Sequence, residues 1–159
     1  MPTSTLLAFR PPTLMVVPWD DPVVDQVGHD VRSNYVEAFW LNVLGPTATW
    51  TLRRLVAGLD RYPLGYELDL DETAGALGLS YSSGTTNSFG RALQRCVMFG
   101  VAQPVPDGLA VRRRLPTVSL RQLERMPERL RTLHADWRAG DVVEPQLLSV
   151  GVTPQASMR

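Results

Sequence analysis

The sequence contains no lysine: all 16 of its basic residues are arginine. A GC-rich genome also produces that bias, but its physical result is that every positive group is a planar fork suited to phosphate or carboxylate rather than a point charge. There is one cysteine, Cys96, so an internal disulfide framework is excluded. No apolar run approaches the roughly 18 residues that a membrane span needs. Pro11, Pro12 and Pro18 interrupt the apolar stretch near the N-terminus, and no positive region precedes it, so no signal peptide is expected. These absences point to a cytoplasmic protein with no membrane partner. Histidine is scarce too. His29 and His134 lie in different segments and in no metal-spaced motif. Four aspartates crowd DDPVVDQVGHD (residues 20–30), but without calcium-loop spacing and with Pro22 between them. Glycine-rich phosphate loops are missing. The expectation is therefore no catalytic residues, no metal, no cofactor and no enzyme.

What is present is one domain's worth of chain. The 159 residues and the 44% apolar content suit one sizeable core. The formal net charge is zero, but the charge is segregated. Residues 1–72 hold five Arg and ten Asp or Glu, a net of −5, whereas residues 91–138 hold ten Arg and four acids, a net of +6. Such an asymmetry hints at nucleic acid or an acidic partner; mutual attraction of the two halves, or a solvated basic face, is the plainer explanation.

Residues 1–33 are proline-rich and lack helical periodicity, and are expected to form an arm or linker in which LMVVPW could lie on the core. From Asn34 the pattern turns helical. Tyr35, Phe39, Trp40 and Val43 recur at helical steps, and Gly45-Pro46 ends one helix and starts the next. Leu52, Leu55, Val56 and Leu59 then form an i, i+3, i+4, i+7 stripe. YELDL (66–70) alternates like a short strand. Asp69 with Glu72 is a candidate capping box for a short helix that Gly78 would end. Another helix, SFGRALQRCVMFG, has Asn87 or Ser88 as its cap. Its apolar side is Phe89, Ala92, Leu93, Cys96 and Val97, where a buried structural thiol is the default for Cys96. Pro106-Asp107-Gly108 is a hairpin signal between VAQPV and LAVRRRLP. Ser119 with Gln122 gives a second capping box, and Pro127 starts the last helix. Residues 139–159 are polar and proline-containing, and are expected to be a disordered tail.

Three stretches in this order resemble a winged helix-turn-helix domain: ELDLDETAGALGLS, TTNSFGRALQRCVMFG and VAQPVPDGLAVRRRLP. The resemblance spans roughly residues 35–138, so the domain is set at 34–138. It implies a mainly α fold with a small β-hairpin and extra N- and C-terminal helices. YVEAFWLNVLGPTATWTLRRL is also similar to the opening of the winged-helix domains of primosomal and plasmid replication-initiation proteins. The resemblance implies double-stranded DNA as partner and a role in transcription regulation. A recognition helix meets base edges with its N-terminal part. Here that part offers Thr85, Thr86, Asn87, Ser88 and Arg91, with Gln94 and Arg95 one turn on. Asn and Arg make bidentate contacts to adenine and guanine. An amphipathic helix with a solvated polar side is the ordinary alternative.

In the wing, strand alternation places Leu109, Val111 and Leu115 on the core side together with Arg113. Arg113 would then pair with an acid such as Glu67 or Asp69, leaving Arg112 and Arg114 for phosphate or minor-groove contact. The alternative is a charged edge strand that discourages aggregation. The helices of 119–137 offer Leu123, Met126, Leu130, Leu133 and Trp137 as a homodimer seam or as packing on the chain's own core. A reading of a different class is a protein–protein adaptor built on the same fold, using the acidic arm and the aromatic 35–50 segment if Trp40 or Trp50 is exposed.

Overall fold

The computed structural model describes residues 12–82, 87–153 and 155. Strand β1 (Thr13–Pro18) leads to helix α1 (Pro22–Val27) and the two-residue strand β2 (His29–Asp30). A π-helical turn, Val36–Trp40, runs into α2 (Leu41–Leu44). Gly45 adopts φ 82°, a left-handed conformation that glycine enters without steric cost. Pro46 then occupies the first turn of α3 (Pro46–Arg61), where its missing N–H costs nothing. The Gly-Pro break therefore falls where the sequence places it. Leu52, Leu55, Val56 and Leu59 are all buried, so α3 is the central helix of the core.

Strand β3 (Tyr66–Asp69) passes directly into α4 (Leu70–Ala76). The Asp69 carboxylate caps α4 by accepting from Glu72 N at 2.8 Å. Helix α5 (Ser88–Met98) follows, then β4 (Ala102–Val105), β5 (Gly108–Val111) and β6 (Arg114–Leu115). Pro106 and Asp107 form the hairpin turn between β4 and β5, Asp107 with φ 65°. Helices α6 (Leu120–Glu124) and α7 (Glu128–Arg138) complete the main body, and Ser119 and Gln122 make the expected reciprocal capping box. The architecture is mainly helical with a small sheet.

Three expectations are corrected by packing. The first concerns the arm of residues 1–33. Of these, 1–11 lie outside the described residues, but β1 stands inside the sheet, whose order is β3-β1-β5-β4. It runs antiparallel to β3 and parallel to β5, and Val16 is fully buried. Pro12 precedes this strand and Pro18 ends it, so neither interrupts it. The acidic stretch behind it is ordered as well: Asp21 caps α1, and β2 pairs with β6.

The second correction concerns the tail. Val150 packs against the core, and Arg129 donates to the carbonyl of Val152 at 3.1 Å. The stretch of residues 139–159 expected to be disordered is therefore attached to the domain through at least Val152. The third concerns the homodimer seam. Met126 and Leu130 belong to the core, with Leu123, Leu133 and Trp137 packed against it. Of the two alternatives, packing on the chain's own core is the one observed, with Leu123, Leu133 and Trp137 partly buried. No helix among the described residues is long and apolar enough to cross a membrane.

Candidate nucleic-acid interface

Helix α5 has two unlike sides. Phe89, Ala92 and Cys96 are buried, whereas Arg91, Gln94, Arg95 and Met98 are exposed. Burial pushes the Cys96 thiol up to about 12, which leaves it protonated and inert at neutral pH. Asn87 is the helix cap: its side-chain oxygen accepts from Gly90 N at 2.7 Å, and its amide donates to the Ser82 carbonyl at 2.7 Å. It is buried, so it cannot read a base edge as expected. The Ser88 hydroxyl is likewise engaged, accepting from Ser80 N at 3.0 Å. Thr85 and Thr86 lie outside the described residues.

Of the helix's polar side, Arg95 has a second duty. Its guanidinium donates to the carbonyls of Leu44 and, at 3.1 Å, Val43, the unpaired C-terminal carbonyls of α2. It also lies over the Phe99 ring. Arg91 makes no ion pair among the described residues, and Gln94 is exposed beside it. Arg91 and Arg95 line an open groove of about 350 Å³ with Ser88 and residues 44–48.

The arginine run 112–114 behaves differently from the strand reading. Strand β5 ends at Val111, and the chain bends before β6, so alternation does not carry through the run. Leu109, Ala110 and Val111 are all buried, because β5 is an inner strand covered on both faces. Arg112 donates to the Asp21 carboxylate at 2.9 Å and to the Gly100 carbonyl at 2.9 Å. It lies 3.7 Å over the Trp19 ring, with its side chain only 14% exposed. The Arg112 hydrogen bond, followed by that from Val24 N, holds the Asp21 carboxyl below the usual carboxylate range.

Arg113 approaches Asp20 at 3.9 Å, not Glu67 or Asp69. Arg114 donates to the Gly28 carbonyl at 3.2 Å and is exposed, but it shares a groove in which Asp25, Asp30 and Asp60 balance Arg32, Arg113 and Arg114. That groove touches α3 near Val56 and Asp60, whereas the α5 groove touches it near Thr47 and Ala48. The two arginine sets therefore meet opposite halves of α3 and share no lining residue. Acids of the N-terminal segment pair with Arg112 and Arg113, as the segregated charge allows.

Sequence reasoning missed a cluster that folding assembles. The His29 ring stacks on Tyr35 at 3.7 Å, and the Tyr35 hydroxyl lies 2.9 Å from His134 Nε2. That hydroxyl accepts from Val118 N at 3.0 Å, which frees its own proton for the imidazole. Trp137 packs against both histidines and the tyrosine. No local spacing signals a set drawn from residues 29, 35, 134 and 137. Burial, first, holds both imidazoles below the ordinary histidine value; the second histidine and Arg114 add to this at His29, and Arg138 adds to it at His134. Burial also pushes the Tyr35 phenol up to about 12.

With the folded pKa values depressed, the unfolded chain binds protons first. Stability is therefore complete above the unfolded value of about 6.5 and falls as pH drops below it. Urea unfolding should show a lower midpoint near pH 5 than near pH 7.5, and the difference should shrink in His134→Gln. Equal midpoints would remove the effect.

A second feature was overlooked although its spacing was legible. Thr47, Trp50, Arg54, Ala57 and Arg61 are all exposed and recur at three and four along the outer side of α3. Trp50 is 61% exposed, whereas Trp40 is buried and donates to the Pro116 carbonyl at 2.8 Å. Among the described residues, no three His, Cys, Asp or Glu side chains gather to hold a metal ion. Compared with known proteins, the chain matches no family model, no curated protein and no solved structure.

Proposed function

We propose that the protein binds double-stranded DNA through the exposed side of α5. The observation that carries this reading is the pairing of Arg91 and Gln94 on one solvent-facing turn of a capped helix whose opposite side is core. Their side chains have the chemistry for guanine, adenine or phosphate. The order α3, β3, α4, α5 and a β4–β5 hairpin supports a winged-helix reading, with α5 in the recognition position. Arg95 supports the surface from its anchor on α2. The hairpin turn is Pro106-Asp107, which brings no positive charge to DNA, and Arg112 and Arg114 are left out of the interface.

Mobility shift on duplex at low salt should show binding, and Arg91→Ala with Gln94→Ala should weaken it about tenfold, within the range of about 1–3 kcal/mol for a base contact. The salt slope should fall by about one unit per phosphate contact removed. No duplex binding by the unaltered chain at low salt would end this reading. The exposed Trp50 favours a second one, a protein-interaction module, which predicts a specific protein partner captured by the chain and lost in Trp50→Ala.

A further inference from the structure

We infer that the outer side of α3 is a binding track for single-stranded nucleic acid. Two grooves lie end to end along this helix. One, of about 410 Å³, is lined by Pro46, Thr47 and Trp50 against Ala76, Leu77 and Leu79 at the end of α4. The other, of about 420 Å³, sets Arg54, Arg61 and Tyr62 against Tyr66 of β3. The first shares Pro46 and Thr47 with the α5 groove, so the surface continues to Arg91 and Arg95.

None of the residues lining these three grooves is acidic, in a chain with as many acids as arginines. Several neighbouring acids are engaged or point away, while Asp71 and Glu72 stand exposed in the first turn of α4. Asp60 pairs with Arg32 beyond the far side of α3, and Glu37 pairs with Arg53. Glu67 alternates with Tyr66 and Leu68, which face the groove.

The order of groups suits a nucleotide strand. Along α3, Trp50 and, just past its end, Tyr62 flank the two forks Arg54 and Arg61, and Thr47 to Arg61 spans about 21 Å at 1.5 Å per residue. Trp50 and Tyr62 are 61% and 52% exposed. Arg53 braces the indole at 5.5 Å while its own fork donates to the carbonyls of Val31 and Ser33. Arg61 lies over Tyr62. Exposed rings beside arginines offer base stacking with phosphate neutralisation. Duplex DNA hides its base faces and could not use Trp50. An acidic peptide would use the arginines and leave the rings without planar partners.

This extends the nucleic-acid reading to a second surface, and the two can fail separately. The test is fluorescence anisotropy of a labelled oligothymidylate of about 16 nucleotides, with a labelled duplex in parallel, on the full chain. Binding of the single strand is expected, with quenching of tryptophan emission. Trp50→Ala should weaken it about tenfold, Trp50→Phe should restore most of that, and Arg54→Ala with Arg61→Ala should flatten its salt dependence. Duplex binding should ignore the Trp50 change and respond to Arg91→Ala. All these residues are exposed, and thermal melts verify each variant's fold. The inference is overturned if the oligothymidylate does not bind, if the α3 variants bind it unchanged, or if polyglutamate displaces it at equal charge concentration. Duplex binding that survives such a result keeps the α5 reading alone.

Discussion

Gly108→Ala is expected to destabilise the protein by about 3 kcal/mol, at the upper end of overpacking costs. Gly108 lies opposite Met15 where β5 meets β1. A Cβ there would stand 2.0 Å from the Met15 carbonyl oxygen and 2.8 Å from its carbonyl carbon. Both are backbone atoms, and β1 is held on its other side by β3 and cannot yield. The melting temperature should drop by roughly 6–12 °C for a chain of this size. Gly75→Ala is the contrast. Gly75 sits in α4 with nothing within 4 Å of an added Cβ, so alanine should stabilise by about 0.4–1 kcal/mol through the unfolded state. Melts of the two variants by circular dichroism decide the matter. If Gly108→Ala melts with the parent, β1 does not occupy the middle of the sheet.

The second large effect belongs to Arg112. Removing it should cost stability and leave nucleic-acid binding intact, the reverse of what a wing arginine would do. Its stack on Trp19 and its bond to the Gly100 carbonyl together suggest a loss of about 1–2 kcal/mol for Arg112→Ala. Arg112→Lys should recover only part of this, because an ammonium cannot lie flat on the indole while serving Gly100 and Asp21. Denaturant melts measure the stability, and mobility shifts on the still-folded variant measure the binding. A variant as stable as the parent but unable to bind duplex would return Arg112 to the interface.

Much of the chain was legible from its residues. The Gly45-Pro46 break, the buried stripe of α3, the Asn87 and Ser119 caps and the two-sided α5 all depend on groups that recur within two helical turns. Local sterics and helical periodicity decide such features before any distant contact forms. The same periodicity marks the exposed Thr47-Trp50-Arg54-Ala57-Arg61 stripe, which is visible only when a helix is read from its outer side as well as its core side.

The site was less legible, for a physical reason. Whether an arginine is free for a ligand depends on which acid or carbonyl reaches it, and those partners come from far along the chain. Arg112 meets Asp21 across 91 positions, and Arg95 meets Val43 across 52. Strand pairing is equally non-local: nothing within TLMVVP states that it will insert between β3 and β5 rather than trail as an arm. The sequence by itself determined the helices from Asn34 onward, the caps at Asp69, Asn87 and Ser119, the hairpin and the amount of charge in each half. Only the tertiary structure decided that the acidic half pairs with Arg112 and Arg113 and leaves α3 and α5 with exposed arginines. Ion pairing acts through space at a few ångströms, and the order of residues does not encode that distance.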